Sequence, residues 1–193
     1  MRPLGSIYEF VFRGLLAQEA LDKAGRPQDN PAVGLHEQVA ARLPIGTLDE
    51  SLVASARQMA TVYTAIAAFE NSARKLISTV LLDQAGQNWW DQNVSAAIKR
   101  KVEIRRTDEG KVKWHTQRGA APISYTDFGD LGNIIGQNWS LFEPYIPSLE
   151  WVKSIFDVIE RSRNVIMHSG NLELEDVERI GINIRDWIKQ IGV

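Results

Sequence analysis

Cysteine is absent from this chain of 193 residues, and histidine occurs only three times. Without thiols the chain can hold no disulfide, no cysteine-based zinc site and no cysteine nucleophile, so those classes of site are excluded. Long apolar runs are also missing, since none approaches the roughly 20 residues that cross a bilayer. The early apolar patch IYEFVF contains Glu9 and is not followed by a small-residue cleavage site, so it does not resemble a secretory signal. We therefore expect a cytoplasmic protein with no membrane span.

Net charge is also small, at -2 with a charged fraction of 24%. The basic residues are unevenly placed, however, because eight of them lie between Lys99 and Arg118 against three acidic residues. This segment is either a phosphate-binding surface or an ordinary solvated helix face with a loop, and the sequence leaves both readings open. The rings of Trp114 and His115 can stack on a base, or they can be a surface residue beside a core tryptophan. The candidate RNA-binding residues are Lys99, Arg100, Arg105, Arg106, Lys111, Lys113, Trp114 and His115.

Apolar residues recur at steps of three and four along most of the chain, which predicts an all-α fold. The longest helix is predicted after Thr47 and Glu50, which have capping-box spacing, and before Gly86, which is a stop signal. The first 45 residues hold a short helix at 7–24 and a linker rich in proline, glycine and asparagine, so we predict an N-terminal helical arm at 1–45 and a helical domain at 46–193. The helices predicted for that domain cover residues 51–82, 94–106, 127–142, 149–169 and 175–191.

Two short motifs resemble known sites but lack the partners those sites need. The DFG at Asp127 resembles the magnesium motif of kinases, but no glycine-rich loop or kinase catalytic loop accompanies it. We interpret it as the start of a helix, capped by Thr126 or Asp127. The HEQVA beginning at His36 has alanine where a zinc-binding helix needs its second histidine. We therefore predict no metal site. The six tryptophans are interpreted as packing residues of the core and of an interface.

Two charged residues fall on the apolar stripes of their helices. At about 100 degrees per residue, Glu70 lies about 40 degrees from the centre of the stripe of the first long helix, and Arg163 lies about 40 degrees from the centre of the stripe at 149–169. An unpaired buried charge is expensive, so each needs a partner, and the economical prediction is that Glu70 and Arg163 face each other or share a site. Glu70 also has Arg74 one turn later. From these charges alone, a structural ion pair and a functional site both remain open.

His168 stands at the end of the same segment, next to a stop at Gly170. A continued helix would place it about 140 degrees from Arg163, too far round to act on the same face. The turn at Gly170 lets His168 reach Arg163 another way, or lets it meet the same residues of a second copy of the chain. Asn164 directly follows Arg163, which adds a polar side chain to the group.

The stretch from Arg163 to His168 resembles the Arg-polar-x-x-x-His signature of the HEPN superfamily, a group of all-helical domains that includes many metal-independent ribonucleases of toxin and antiphage systems. Further blocks, in order AFENSARKLI, GQNWW, YTDFGDL, NWSLF and RNVIMHSG, resemble the branch of HEPN domains named for the Swt-type RNA endonucleases. The resemblance covers about residues 55 to 192. It implies an antiparallel bundle of four to five helices.

The resemblance also implies a function. HEPN sites form at a two-fold dimer interface and cut RNA by attack of a ribose 2′-hydroxyl on the adjacent phosphate. Arg163, Asn164 and His168 would then be catalytic, while Glu70 and Arg74 match a supporting E-x-x-x-R element. We expect an endoribonuclease, an effector of a toxin or antiphage-defence system, that acts as a homodimer on RNA without a cofactor. An antitoxin or a defence-system protein is a possible partner. The alternative is a HEPN module that binds RNA or a nucleotide, or docks a partner protein, without cleaving.

Overall fold

The structure is a computed structural model that describes residue 35 and residues 38–192. The helix predicted at 7–24 and His36 lie outside the described residues, as does most of the predicted arm. The chain divides into two units between Val53 and Ala54, and the site described below belongs entirely to the second unit. In the described part of the chain, no helix is both long and apolar enough to cross a membrane.

The fold is all-α, as the periodicity predicted, and the described residues contain no strand. Short 3-10 turns occur at Ile45–Thr47 and at Pro122–Tyr125. The helices are α1 (Glu50–Ala85), α2 (Trp89–Asn93), α3 (Ala96–Gly110), α4 (Phe128–Gln137), α5 (Trp139–Phe142), α6 (Leu149–Met167) and α7 (Leu174–Ile191).

Helix α1 stops before Gly86, as the sequence predicted, but its N-terminus is capped by a different residue from the one predicted. The Asp49 side chain accepts hydrogen bonds from the backbone N–H groups of Ser51 and Leu52, which is the usual task of an N-cap. Thr47, the predicted cap, instead donates its hydroxyl to the carbonyl of Pro44. At the other end Gly86 has a φ of 77°, a backbone conformation that glycine adopts without steric cost.

Helix α4 begins at the DFG sequence, as predicted. Asp127 caps it in a reciprocal arrangement, because the Asp127 carboxylate accepts from the backbone N–H of Asp130 and the Asp130 carboxylate accepts from that of Asp127. The single helix predicted at 127–142 is divided at Asn138, whose side-chain amide donates to the carbonyls of Asn93 and Ile134. Helix α3 continues to Gly110, four residues beyond the predicted end.

An aromatic cluster joins four of the helices beneath the site. Phe69 of α1, Phe128 of α4, Phe156 of α6 and Trp187 of α7 are all buried, and Phe69 lies 5.5 to 6.0 Å from the other three ring centroids. Trp151 stacks on Trp187 with ring planes within 4°. Aromatic pairs at these separations contribute beyond their buried area. The cluster therefore fixes α1 against α6, the two helices that carry Glu70 and Arg163.

Candidate functional site

Glu70 lies between two arginines, as the helix geometry predicted. Its Oε1 accepts a hydrogen bond from Nη2 of Arg74, one turn later on α1. Its Oε2 lies 3.6 Å from Nε of Arg163 on α6. The Glu70 side chain is only 10% exposed, so its charge depends on these two partners.

Arg74 also connects α1 to the start of α4. Its Nη2 donates to the carbonyl of Thr126 at 2.8 Å, and its Nη1 donates to Oδ1 of Asn71 at 3.1 Å. Since Thr126 immediately precedes the cap of α4, Arg74 has a structural role whatever its part in function. These contacts use both terminal nitrogens of its guanidinium, while its buried Nε has no hydrogen-bond partner among the described residues.

Arg163 is held more loosely. Its Nε is buried and has no hydrogen-bond partner among the described residues, because 3.6 Å to Glu70 is too long for such a bond. About a third of its side chain is exposed, at 32%. A guanidinium with unused donors at a pocket suits an anion with several oxygens, such as a phosphate.

Arg163 and Glu70 line an open pocket with a volume of about 680 Å³. This volume is within the range of small-molecule and nucleotide sites. Asn164 also lines the pocket, as do Tyr63 and Met167. Its charged lining residues are Arg74, Arg105, Arg118, Arg163, Glu70, Asp127 and Glu160.

Arg105 and Asp127 of this pocket are engaged with each other and with their neighbours. Arg105 donates to Oδ2 of Asp127 at 3.0 Å and to the carbonyl of Tyr125, and Lys101 donates to both Asp127 and Asp130, at 2.7 and 3.0 Å. Burial by itself raises the pKa of the Asp127 carboxyl, but the hydrogen bonds from Lys101, Asp130 and Arg105 hold that pKa well below its usual range. Asp127 is thus a fixed carboxylate that joins α3 to α4.

Glu160 is the pocket residue that sequence reasoning missed. It lies three residues before Arg163, on the same face of α6, and makes no hydrogen bond or ion pair within the described part of the chain. Burial and the nearby charge of Asp127 raise the pKa of the Glu160 carboxyl. The signal that could have found it is its spacing, since residues three apart on a helix are neighbours.

His168 follows the last residue of α6 and is exposed. It does not line the pocket that contains Arg163, Asn164 and Glu70. One chain therefore brings four of the five predicted catalytic and supporting residues into one pocket: Arg163, Asn164, Glu70 and Arg74. The fifth, His168, lies outside the pocket lining. Among the described residues, no hydrogen bond or ion pair joins His168 to Arg163.

A tight turn after α6 determines where His168 leaves the helix. The N–H of Ser169 donates to the carbonyl of Ile166 and the N–H of Gly170 to that of Val165, both at 2.9 Å, which is a Schellman motif. The left-handed residue is Ser169, with a φ of 60°, rather than the predicted Gly170. Gly170 is needed for a different reason: a Cβ there would lie 2.8 Å from Cγ1 of Val165 and 3.0 Å from its carbonyl oxygen.

Several of the candidate RNA-binding residues are used in local pairs. Lys111 pairs with Asp108 at 2.7 Å, and Lys99 donates to the carbonyl of Asp91 at 2.8 Å. Arg106 is 4.0 Å from a Glu103 oxygen and packs over the Tyr125 ring, while Arg105 is engaged as described above. The ion pairs of Lys111, Arg106 and Arg105 lower the local positive field, and those of Lys111 and Arg106 favour the reading of a solvated helix face for these two residues. Arg100 and Lys113 are exposed and have no ion pair among the described residues.

Trp114 departs from the expectation that the tryptophans pack in the core, since it is 87% exposed. Its ring meets that of His115 edge to face at 5.6 Å. His115 in turn is held by a hydrogen-bonding contact between Nδ1 and the carbonyl of Thr116. Neither ring lines the pocket of Arg163. As RNA-binding residues, Trp114 and His115 remain a prediction.

The all-helical fold is that of a HEPN domain. The model of the Swt1-like HEPN family matches residues 64–192, from the middle of α1 to the end of α7. The chain belongs to this family, as the sequence motifs predicted. Comparison with curated proteins and with solved structures gives no match.

Proposed function

We propose that this protein is a metal-independent endoribonuclease whose complete site forms between two copies of the chain. The observation that carries the proposal is the Arg163 side chain, which lines an open polar pocket and makes no hydrogen bond to any described residue. Family membership supports the proposal, because HEPN domains are often ribonucleases and usually function as dimers that act on RNA.

In the proposed reaction the 2′-oxygen of a ribose attacks the adjacent phosphorus, and the bond from phosphorus to the 5′-oxygen of the next nucleotide breaks. The products are a 2′,3′-cyclic phosphate and a 5′-hydroxyl. One group must take the proton of the 2′-hydroxyl, and another must give a proton to the departing 5′-oxygen. A histidine can do either near neutral pH. Arg163 neutralises the phosphate as negative charge builds on it, and Asn164 orients a phosphate oxygen.

The position of His168 is the reason for proposing a dimer. The histidine is exposed beside the pocket rather than in its lining, and each chain supplies only one at this helix end. In a symmetric dimer the same surface of both copies meets, so two His168 side chains and two Arg163 side chains converge. Exposed Val165 and Met167, on the same last turn of α6, provide apolar surface for that contact.

We propose that such a nuclease is an effector of a toxin or antiphage-defence system. This proposal rests on the resemblance to HEPN ribonucleases of those systems. It predicts that expression of the wild-type chain arrests growth of a bacterial host and that His168→Ala relieves the arrest.

The cleavage proposal is tested by incubating the purified chain with total RNA and tRNA in excess EDTA. We expect fragments with cyclic phosphate ends from the wild type, and rates lower by roughly a hundred- to ten-thousand-fold for His168→Ala and Arg163→Ala. Arg179→Ala is a matched control, because Arg179 is an exposed arginine of α7 that pairs only with Asp176 among the described residues. Cleavage that persists in His168→Ala, or that requires a divalent cation, contradicts the proposal.

The alternative is a module that binds RNA or a nucleotide without cleaving it. The absence of His168 from the pocket lining favours this alternative if the chain is a monomer. Light scattering across a range of concentrations separates the two: RNA binding by a monomer, with no cleavage, supports the module, while activity that falls as the dimer dissociates supports the nuclease.

A further inference from the structure

Two charged residues that line the pocket, Arg163 and Glu160, make no side-chain hydrogen bond to any described residue. Glu70 and Arg74 bind each other, Arg105 and Asp127 do the same, and Arg118 pairs with Glu109 at 2.6 Å. Arg163 and Glu160 remain, one positive and one negative. A ligand that satisfies the pocket must therefore offer an anion to Arg163 and a hydrogen-bond donor to Glu160.

Glu160 and Arg163 are neighbours on one face of α6 and line the same pocket. Residues three apart on a helix have Cβ atoms about 5–6 Å apart, so a single small ligand in this pocket can reach both side chains. An anion alone would satisfy Arg163 but would offer no hydrogen-bond donor to the Glu160 carboxylate. A ribose phosphate does fit, because the 2′-hydroxyl is attached to the carbon next to the one that bears the 3′-phosphate.

The surroundings of Glu160 favour such a donor. The groups that act on it are Asp127 from the start of α4, Lys101 from α3, and Asp157 and Arg163 from its own helix. Burial and the charge of Asp127 raise the pKa of Glu160, which means that the surrounding residues stabilise its ionised form poorly. A hydroxyl that donates a hydrogen bond to the Glu160 carboxylate would stabilise this ionised form.

We infer that Glu160 accepts a hydrogen bond from the 2′-hydroxyl of the nucleotide whose 3′-phosphate lies on Arg163, and that this contact makes the pocket select ribonucleotides over deoxyribonucleotides. The inference builds on the proposed function, because it identifies the part of the RNA that the pocket receives. Glu160 is thereby a specificity-determining residue that holds the attacking hydroxyl beside its phosphate. The 2′-hydroxyl is the group by which a protein distinguishes RNA from DNA at a given site.

The test is a binding measurement that requires no cleavage. Adenosine 3′-phosphate and 2′-deoxyadenosine 3′-phosphate are titrated into the full chain at pH 7 by calorimetry. We expect the ribonucleotide to bind about tenfold more tightly, as the loss of a hydrogen bond to a charged group predicts. Glu160→Ala should bring the two affinities together, and Arg163→Ala should weaken both. Glu178→Ala, which removes an exposed carboxylate of α7, should leave the preference intact.

The outcomes separate this inference from the proposed function. If the protein cleaves no RNA but shows a preference for ribose that depends on Glu160, the proposed nuclease function is refuted and the inference is supported. RNA cleavage with no ribose preference, or with a preference that Glu160→Ala retains, refutes the inference and leaves the nuclease. Failure of both nucleotides to bind overturns the inference. If Glu160→Ala does not fold, Glu160→Gln replaces it; the neutral amide is expected to reduce the preference, and an unchanged preference counts against the inference.

Discussion

Replacing Glu70 with glutamine removes the charge that holds two arginines while keeping the shape of the side chain. The amide still offers one oxygen, so the hydrogen bond from Arg74 weakens rather than disappears. A hydrogen bond to a charged group contributes about 1.5–3 kcal/mol, and we take about half of it as lost. Arg163 is about a third exposed, so the loss of its ion pair is discounted for solvent to about 0.5 kcal/mol.

The sum is about 1.3–2 kcal/mol of unfolding free energy, which lowers the Tm of a chain of this size by about 3–8 °C. Thermal unfolding followed by circular dichroism measures this change in Tm. Glu178→Gln is a surface control that should change the free energy of unfolding by less than about 0.5 kcal/mol. In an Arg163→Ala background, Glu70→Gln should cost at least about 0.5 kcal/mol less, because one of its two partners is already gone. Equal melting temperatures for Glu70→Gln and the wild type would refute the view that Glu70 is an essential counter-ion.

Three further substitutions test other parts of the structure. Gly170→Ala should lower the free energy of unfolding by about 1–3 kcal/mol, because the added Cβ meets Val165 and opens the two hydrogen bonds of the turn. Val165→Ala should restore part of this loss. A Tm of Gly170→Ala within about 1 °C of the wild type would contradict the expectation. Asp127→Asn should destabilise the protein by about 1 kcal/mol at pH 7, since asparagine still caps α4 but loses the ion pairs. Because the folded pKa of Asp127 is lowered, its contribution is full above pH 3.8 and is lost as pH falls, so urea unfolding should show the deficit shrinking in acid. Glu160 is the opposite case: its folded pKa is raised above 4.5, so its stabilising effect is present below that pH and lost as pH rises. Glu160→Gln should therefore be slightly more stable than the wild type at pH 7 and equal to it below pH 4.5, and a destabilised variant at pH 7 would contradict this.

The helical period of the sequence was sufficient to place the four longest helices, α1, α3, α6 and α7, and to identify Glu70 and Arg163 as inward charges. Such a period is a local property, since it follows from the 3.6 residues per turn of any helix. Stop signals were equally local: Gly86 ends α1, and the turn at Gly170 ends α6, because both depend on backbone conformations that only nearby residues determine.

Predictions from local sequence patterns were wrong where contacts between residues distant in sequence determine the structure. Tyr63 shares the apolar stripe of α1, yet it lines the pocket, because the helices that bury its neighbours do not cover it. Helix α3 continues through a polar stretch that looked like a terminus, and Glu109 from that stretch pairs with Arg118 beyond the loop.

By itself the sequence determined the family, the all-helical fold and the two charged residues that face each other. Only the tertiary structure decided which charges remain available for a ligand, because the pairing of Arg105 with Asp127 and of Arg74 with the Thr126 carbonyl depends on how helices distant in sequence pack. The same packing placed Glu160 in the pocket and left His168 outside it. Periodicity predicts which side of a helix is buried, whereas packing between helices determines what each buried charge meets.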